Sequence, residues 1–386
     1  MAVSTATSVA APPLALFSLG NLVIGTGAFI LAGILGSISA DLGVGVPAVG
    51  QAMTAYALST AMLAPLLLVL TGHWRRKQAM ALALTLFAAG NLVCSLAPNL
   101  TLLLAGRVLM GAGAMFTPIV AGLAVAGTPP AQRGKALSFV FLGISLSYVV
   151  GLPMGTWLAS IQSWRLPIQV VAAASILVLA VLMLRVPTSL QSPGATFRGA
   201  GALIRQREVG LPLLLTLLYF TAIFTLFGYI GPVLQALGPM SVGQVSFMLL
   251  AVGVSGVIGT LVGGWANDRF GPVRTLRVQL FVFLLAQLAV PLTSGNYALV
   301  LMVMLAWGTA GFGMMPAQQA RLAVASPANA PLLLSLNTSM LYFGTALGSI
   351  VGGAVSASLG FGQIAWAGAP FLLLGFVTLL VPSRKS

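Results

Sequence analysis

Long apolar runs dominate this sequence, and they limit the folds open to the chain more than any other feature. A helix needs about 20 apolar residues to cross a bilayer, whereas a strand of a membrane barrel needs about 10. The runs have the helical length, and 5% of the residues are charged, compared with about 25% in soluble proteins. The sequence therefore predicts an all-α polytopic membrane protein with twelve transmembrane helices. The predicted spans lie near residues 15–38, 48–70, 78–97, 100–126, 136–159, 165–185, 210–234, 243–265, 274–294, 297–320, 331–358 and 365–381.

Basic residues fall in alternate gaps between these spans, and this pattern predicts the orientation of the chain. Lys and Arg are enriched in the cytoplasmic loops of membrane proteins. We therefore expect a multi-pass protein with both termini in the cytoplasm. The net charge of +14 then reflects orientation and does not indicate a nucleic-acid partner. Arg165 alone faces the other side, and Arg107 alone lies within a span. Trp74, Trp157 and Trp164, near span ends, are assigned to the membrane interface. The cytoplasmic group is Arg75, Arg76, Lys77, Arg133, Lys135, Arg185, Arg198, Arg205, Arg207, Arg269, Arg274, Arg277, Arg321, Arg384 and Lys385.

A polar gap near the middle of the chain separates two sets of six spans. We expect an N-terminal six-helix bundle over 1–186, a cytoplasmic loop over 187–209 and a C-terminal six-helix bundle over 210–386. The two halves resemble each other, since the segment GLAVAG at 122–127 is matched by RLAVAS at 321–326. An internal repeat of about 200 residues in a polytopic protein is typical of secondary transporters, whose substrate site lies where the repeats meet.

Small residues spaced four apart form a stripe on the fifth span and again on the eleventh. Residues at this spacing share a helix face, and small side chains let membrane helices approach closely. Pro153 lies in the first stripe and leaves the carbonyl of Val149 without its usual helical donor. We predict that both stripes pack tightly and form interfaces between the halves along which the halves rock. The stripes are Gly143, Ser147, Gly151 and Gly155 in the fifth span, and Gly344, Gly348, Gly352 and Ser356 in the eleventh.

Three motifs indicate a known family. LAGRVLMGAGA at 104–114 matches a fourth-span motif with a single arginine, GLPMGTWL at 151–158 is similar to a fifth-span exporter motif, and GGWANDRFG at 263–271 is similar to a loop motif. With these residues the chain resembles the major facilitator superfamily. Within that superfamily it is most similar to the drug- and metabolite-efflux branch, which includes bacterial exporters of sugars, purine nucleosides and chloramphenicol. The resemblance implies a location in the bacterial inner (plasma) membrane, alternating access, and exchange of substrate for protons.

The resemblance also implies which residues bind substrate, because the first, fourth, seventh and tenth spans line the centre of that fold. Polar side chains on those spans are the candidates, and Tyr56, Asn337 and Tyr342 on the second and eleventh spans are further candidates. The loop motif implies that Asp268 and Arg269 form a cytoplasmic latch between spans. The alternative for this pair is an exposed ion pair that contributes little. The candidate substrate-binding residues are Arg107, Asn21, Thr26, Thr117, Tyr219, Thr225, Tyr229, Gln318 and Gln319.

Arg107 is the most informative of these residues, because a charge at bilayer depth costs roughly 2.5–3.5 kcal/mol and is rare. Two interpretations stay open: Arg107 binds carbonyls or polar groups of neighbouring spans and holds the bundle together, or it faces the cavity and contacts the substrate. The acids Asp41, Glu208 and Asp268 all lie near predicted span ends or in loops. Coupling to protons usually needs a buried titratable group, so we expect no coupling carboxylate at the membrane centre. Proton coupling through Asp41 or through water stays open.

These features together predict a secondary active transporter that exports small neutral or weakly anionic organic molecules resembling drugs, sugars or nucleosides. A uniporter of a neutral metabolite with the same fold is the first alternative, and a non-transporting membrane receptor or scaffold is the second. The chain has three acids and one histidine, with no paired carboxylates, Cys/His cluster or phosphate loop in its sequence. We therefore expect no enzymatic activity, no cofactor and no metal. We expect a monomer whose partners are its substrate, the lipid bilayer and, where transport is coupled, protons.

Overall fold

The computed structural model describes residues 12–129, 132–188, 190, 200–326 and 329–381. These residues form seventeen α-helices joined by short turns. A π-helical turn spans Ser147–Gly151, and 3₁₀ turns span Val290–Thr293 and Phe361–Gln363. The α-helices are α1 Leu14–Phe29, α2 Leu31–Leu42, α3 Val46–Leu70, α4 Arg76–Ser95, α5 Leu100–Gly113, α6 Phe116–Ala126, α7 Arg133–Leu146, α8 Leu152–Ile161, α9 Arg165–Arg185, α10 Ala200–Ile204, α11 Arg207–Phe227, α12 Ile230–Leu237, α13 Val242–Phe270, α14 Pro272–Ala289, α15 Tyr297–Ala325, α16 Ala330–Leu359 and α17 Ile364–Leu380.

The predicted polytopic all-α fold is confirmed. Eleven helical segments in the described residues are long and apolar enough to cross a membrane, and the bent pair of α1 and α2 makes a twelfth. Helices α1 to α9 form one bundle, and α11 to α17 form the other. Successive spans run in opposite directions, so one end of the molecule carries Arg76, Arg133, Arg207 and Arg269, and we call this the basic end. The opposite end carries Asp41 and is called the Asp41 end.

Side-chain caps define several helix starts at the Asp41 end. Asn99 accepts a hydrogen bond from the amide of Leu102 at 3.0 Å at the start of α5, and Asn296 caps α15 in the same way. Ser241 begins α13 with a reciprocal capping box. Each cap satisfies a backbone amide that lacks a partner in the first helical turn. The turns that separate these spans are thus encoded locally.

Three of the predicted spans are broken. The first span bends by 44° between α1 and α2, at Ile30. The fourth span is interrupted between α5 and α6, and the seventh between α11 and α12 at Gly228 and Tyr229. The fifth span contains the π-helical turn immediately before Pro153, whose ring nitrogen cannot donate to the preceding helical turn. Of these irregularities, only the one at Pro153 was indicated by the sequence.

The small-residue stripes pack within each bundle, so the prediction that they form interfaces between the halves is wrong. A Cβ atom at Gly344 would lie 2.5 Å from the carbonyl oxygen of Leu217, and one at Gly352 would lie 2.5 Å from that of Thr225. This stripe therefore packs on α11 of its own bundle. The first stripe packs equivalently on α1, where Cβ atoms at Gly143, Gly151 and Gly155 would overlap Ser18, Thr26 and Ile30, respectively. Four-residue spacing identifies a packing face but not the helix against which it packs.

The bundles meet through other residues. A Cβ atom at Gly231 would lie 2.9 Å from the carbonyl oxygen of Gly33, which places α12 against α2. A Cβ atom at Gly253 would overlap the backbone of Tyr148, so α13 packs on the π-helical turn. These are backbone approaches between the halves, and both lie at the centre or toward the Asp41 end.

The loop predicted over 187–209 is partly helical. It contains α10, and α11 begins at Arg207, before the predicted end of the loop. Residues 189 and 191–199 lie outside the described residues, as do Arg384 and Lys385. The division of the chain at this loop stays a prediction.

Candidate functional site

Arg107 lies at the break in the first span. Its side chain is fully buried, and its guanidinium donates to the carbonyl oxygens of Gly27 at 2.7 Å, Ala28 at 2.6 Å and Ala52 at 3.1 Å. Gly27 and Ala28 belong to the last turn of α1, where carbonyls lack helical partners and the helix dipole favours a cation. The guanidinium also lies 4.6 Å from the centre of the Tyr56 ring, a favourable cation–π distance. These contacts agree with the first interpretation, in which Arg107 holds neighbouring spans together. Substrate contact by Arg107 stays a prediction.

Asn21 and Thr117 connect three spans of the N-terminal bundle. The amide of Asn21 donates to the carbonyl of Val140 at 2.9 Å, and Thr117 donates to the side-chain oxygen of Asn21 at 2.8 Å. Asn21 is fully buried. Thr26 lies five residues further along α1 and packs on Gly151. Because Asn21 is already hydrogen-bonded on both sides, its present role is to join the helices.

A second polar cluster lies in the C-terminal bundle, in the half that faces the basic end. Gln318 donates to Thr216 at 3.0 Å and also to the carbonyl of Pro212, and Thr216 donates to Asn337 at 2.6 Å. These residues bring the seventh, tenth and eleventh spans together. Among the described residues, the buried side-chain oxygen of Gln318 has no hydrogen-bond partner. A buried acceptor without a partner is costly, so this cluster can accept a further donor.

The remaining candidates for substrate binding lie in different places. One is beside the Gln318 cluster, and another is where the C-terminal bundle meets α3. Tyr219 donates to the sulfur of Met315 at 3.5 Å, beside the Gln318 cluster. Tyr229 is buried next to Gly50 and donates to the carbonyl of Ser349 at 2.9 Å. Two further candidates differ from these: Thr225 bonds to its own helix at Thr221, and Gln319 is exposed while Gln318 is buried. The predicted residues thus form separate groups, and their contact with substrate stays a prediction.

Aromatic side chains that the sequence prediction did not include occupy the boundary between the bundles. Tyr148 stacks on Phe29 with ring centres 5.0 Å apart, and it contacts Phe227 at 6.1 Å and Phe312 at 5.3 Å. Phe29 contacts Phe224 at 5.8 Å and Phe227 at 6.4 Å. Rings from both bundles therefore meet directly. We call Phe29, Tyr148, Phe224, Phe227 and Phe312 the aromatic cluster. Aromatic belt residues lie at span ends, whereas these residues lie near the middle of their spans. This position was the sequence signal that could have identified them.

Two spaces adjoin this boundary. A cavity of about 60 Å³ is lined by Tyr148, Phe227 and Phe312, together with residues of α13. A larger cleft of about 340 Å³ lies nearer the Asp41 end, between α2 and α8 of one bundle and α12 and α13 of the other. Its polar lining includes Ser37 and Gln235. The aromatic cluster therefore lies beside a space that would admit only a few water molecules.

Asp41 belongs to an ion pair at its own end of the molecule. Arg165 donates to the Asp41 carboxylate at 2.6 Å, the Trp164 indole donates to the same oxygen at 3.1 Å, and Arg165 also bonds to the carbonyl of Ala97. This is the one ion pair in the described part of the chain. Trp164 is 3% exposed, so its assignment to the membrane interface is wrong. The Asp41 carboxylate accepts a hydrogen bond from the indole nitrogen of Trp164. The position of Trp164 near a span end does not indicate this contact.

The predicted latch residues lie at the basic end. Asp268 is exposed and accepts a hydrogen bond from Asn267 at 3.2 Å. The Arg269 guanidinium lies 5.9 Å from the ring centre of Phe270. These contacts are local to the turn between α13 and α14, and a latch to another span stays a prediction.

Two helical bundles with polar and aromatic groups at their boundary define a polytopic membrane transporter. The chain matches the sequence model of the Major Facilitator Superfamily over residues 17–331 and 240–386, and it belongs to this superfamily. The resemblance to the superfamily is thereby confirmed. The chain is a transporter and not an enzyme.

Known relatives extend over nearly the whole chain. The chain is 30% identical to the inner membrane transport protein YdhP of Escherichia coli K12, over 97% of this chain and 96% of the relative. It is 26% identical to the MFS-type transporter YbcL of Bacillus subtilis, over 94% and 93% of the two chains. Among solved structures, an inward-facing, occupied bacterial homologue of the human lysosomal transporter Spinster superposes with a TM-score of 0.81 at 18% identity, covering 97% and 96% of the chains. A D-xylose–proton symporter superposes with a TM-score of 0.81 at 15% identity, covering 96% and 98%. At these identities the solved structures support the fold.

Proposed function

We propose that this protein exports small neutral or weakly anionic organic molecules by alternating access. The observation that carries the proposal is the distribution of charge. The three acids of the chain, Asp41, Glu208 and Asp268, all lie near helix ends, and Asp41 is paired with Arg165. Arg107 is fully buried within the spans, and each of its three guanidinium nitrogens already donates to a backbone carbonyl.

This distribution disfavours cationic substrates. Bringing a cation into a region of low dielectric constant without a counter-charge carries a large desolvation penalty. A neutral solute avoids that penalty, and the potential of Arg107 opposes a cation and favours an anion. Drug-like, sugar-like and nucleoside-like molecules all meet this requirement. Lipophilic quaternary ammonium compounds do not.

The lack of an acid at the centre also bears on coupling. Exchange for protons is the expectation from the efflux branch, whereas a uniporter needs no titratable group at the centre. The placement of Asp41, Glu208 and Asp268 at helix ends supports the uniporter as the second candidate. In either case we propose a monomer in the bacterial inner membrane, with both termini on the cytoplasmic side and the basic end facing the cytoplasm.

Flux measurements in proteoliposomes test these proposals. A neutral dye and its quaternary ammonium analogue are loaded into vesicles, and release is compared with that from protein-free vesicles. We expect protein-dependent release of the neutral dye and little release of the cation. Preferential transport of the cation would contradict the charge argument. An imposed pH gradient then separates the candidates, because it accelerates exchange for protons and leaves uniport of a neutral solute unchanged.

A further inference from the structure

The aromatic cluster joins the two bundles through ring contacts. Tyr148 and Phe29 come from the N-terminal bundle, whereas Phe227 and Phe312 come from the C-terminal bundle. Each ring of the first pair contacts at least one ring of the second, with centres 5.3 to 6.4 Å apart. These distances lie in the range at which aromatic pairs attract beyond simple burial. The bundles cannot separate here without breaking those contacts.

The position of Tyr148 is set by the backbone. It lies within the π-helical turn Ser147–Gly151, and single π-helical turns inside α-helices are frequent at functional sites. The backbone of this turn is in close contact with Gly253, so the ring is held at the boundary. Tyr148 and Phe312 are both half-buried, whereas Phe227 is 1% exposed. Tyr148 and Phe312 are therefore the most accessible rings of the aromatic cluster.

The adjoining space is too small for an organic substrate. Its volume is about 60 Å³, so a solute that binds here must displace side chains of the cavity wall, where Tyr148 and Phe312 are the most accessible rings. That displacement removes ring contacts, and a solute must replace them to bind well. A planar conjugated ring replaces them by stacking, whereas a saturated ring or a bare sugar offers no π-face. Other groups on the cavity wall, such as Ser145 and Thr260, are neutral hydroxyls that suit an uncharged solute.

We propose that the aromatic cluster is a binding site that selects neutral solutes containing a planar conjugated ring over saturated solutes of similar size and polarity. This inference rests on the proposed function and narrows its substrate class. Among the classes named above, it favours nucleosides and phenicol-like compounds over sugars. Tyr148 and Phe312 act as the residues that determine specificity.

Binding to the purified protein tests the inference with matched probes. Phenyl β-D-glucoside and cyclohexyl β-D-glucoside differ in the aromaticity of one ring, and inosine and D-ribose differ by the purine. A ligand that binds only the folded state raises the thermal unfolding temperature, and its titration gives a Kd. We expect the aromatic member of each pair to bind with a Kd lower by roughly tenfold or more, as one or two recovered ring contacts would give.

Three variants locate the effect. Tyr148→Leu and Phe312→Leu should each abolish the preference, whereas Tyr148→Phe should retain it because the ring remains. Phe281→Leu, which makes the same change at a side chain that is 54% exposed on α14, is the matched control and should also retain it. Two independent leucine variants keep the test decisive where one of them fails to fold. Equal affinity for both members of each pair, no binding of any probe, or a preference that survives both leucine variants would overturn the inference.

Flux distinguishes this failure from failure of the proposed function. Preferential binding that depends on Tyr148, without transport of any neutral solute, would reject export and leave the binding site standing. Transport of the saturated and aromatic probes at equal rates and equal affinities would reject the binding site and leave export standing.

Discussion

The stripe of small residues on α16 leads to a prediction whose size follows from the structure. In Gly344→Ala, the new Cβ atom would lie 2.5 Å from the carbonyl oxygen of Leu217 and 2.8 Å from the Cβ atom of Phe220. Ordinary contact begins near 3.4 Å, so α16 and α11 must move apart by roughly 0.9 Å. Both partner atoms lie on or next to the backbone, so a rotamer change cannot relieve the overlap. We therefore expect destabilisation.

Gly264→Ala is the matched control. Gly264 lies inside the long helix α13, and a Cβ atom there would meet no atom within 4 Å. Both substitutions gain the same helix-propensity term of about 1 kcal/mol, so that term cancels between the variants. The remaining difference is overpacking at Gly344, which costs typically about 1–3 kcal/mol. Gly344→Ala should therefore be less stable than Gly264→Ala by about that amount.

Thermal unfolding of the purified variants in one detergent, at one scan rate, measures the difference. We expect Gly264→Ala to unfold at or above the temperature of the unmodified protein, and Gly344→Ala to unfold clearly below it. The reasoning would be refuted by a Gly344→Ala protein that unfolds at the same temperature as Gly264→Ala or above it. In that case the contact between α16 and α11 would be looser than these distances indicate.

Three further outcomes are expected. Arg107→Ala should abolish transport and lower thermal stability. Arg107→Lys should retain part of both, because it keeps the charge but can donate to fewer of the three carbonyls. Full activity in either variant would show that these hydrogen bonds are dispensable. Asp41→Asn should leave the unfolding temperature nearly unchanged, because the pair with Arg165 is half-exposed, and retained proton-driven transport would exclude this carboxylate as the coupling group. The orientation is tested by a cysteine at the exposed Ala202, in a protein whose buried Cys94 is replaced by serine. This cysteine should react with an impermeant maleimide only after the cells are opened. Labelling of intact cells would contradict the proposed orientation.

The spans could be predicted because the physics of crossing a bilayer is local. A run of about 20 apolar residues is sufficient to identify a span, and the order of spans follows from the chain itself. The breaks were missed because the bend at Ile30 has no proline and no polar run to signal it. The bend instead coincides with a distant side chain, Arg107, that binds the end of α1. Long-range contacts of this kind leave no local pattern.

The candidate site was predicted only in part, for a similar reason. The sequence limited the partners of Arg107 to carbonyls, hydroxyls, water or substrate, and the structure places three carbonyls there. The sequence favoured polar residues as candidates for substrate binding. In the structure, however, Asn21 and Tyr229 form hydrogen bonds with neighbouring helices. The aromatic residues that meet at the boundary have no charge or motif to mark them. Their importance depends on which bundle each one comes from, and this emerges only when the helices are packed.

The first and seventh spans, two of the three that are broken, connect these observations. Phe29 is the last residue of α1, and Phe227 is the last residue of α11, its counterpart in the second half. The rings meet across the boundary at 6.4 Å. Arg107 binds the carbonyls of the two residues that precede Phe29, so the same hydrogen bonds that hold the break also orient the ring. A rotation of one bundle against the other would part these rings, whereas the three carbonyls that bind the guanidinium all belong to the N-terminal bundle. The arginine therefore holds the N-terminal side of the aromatic contact.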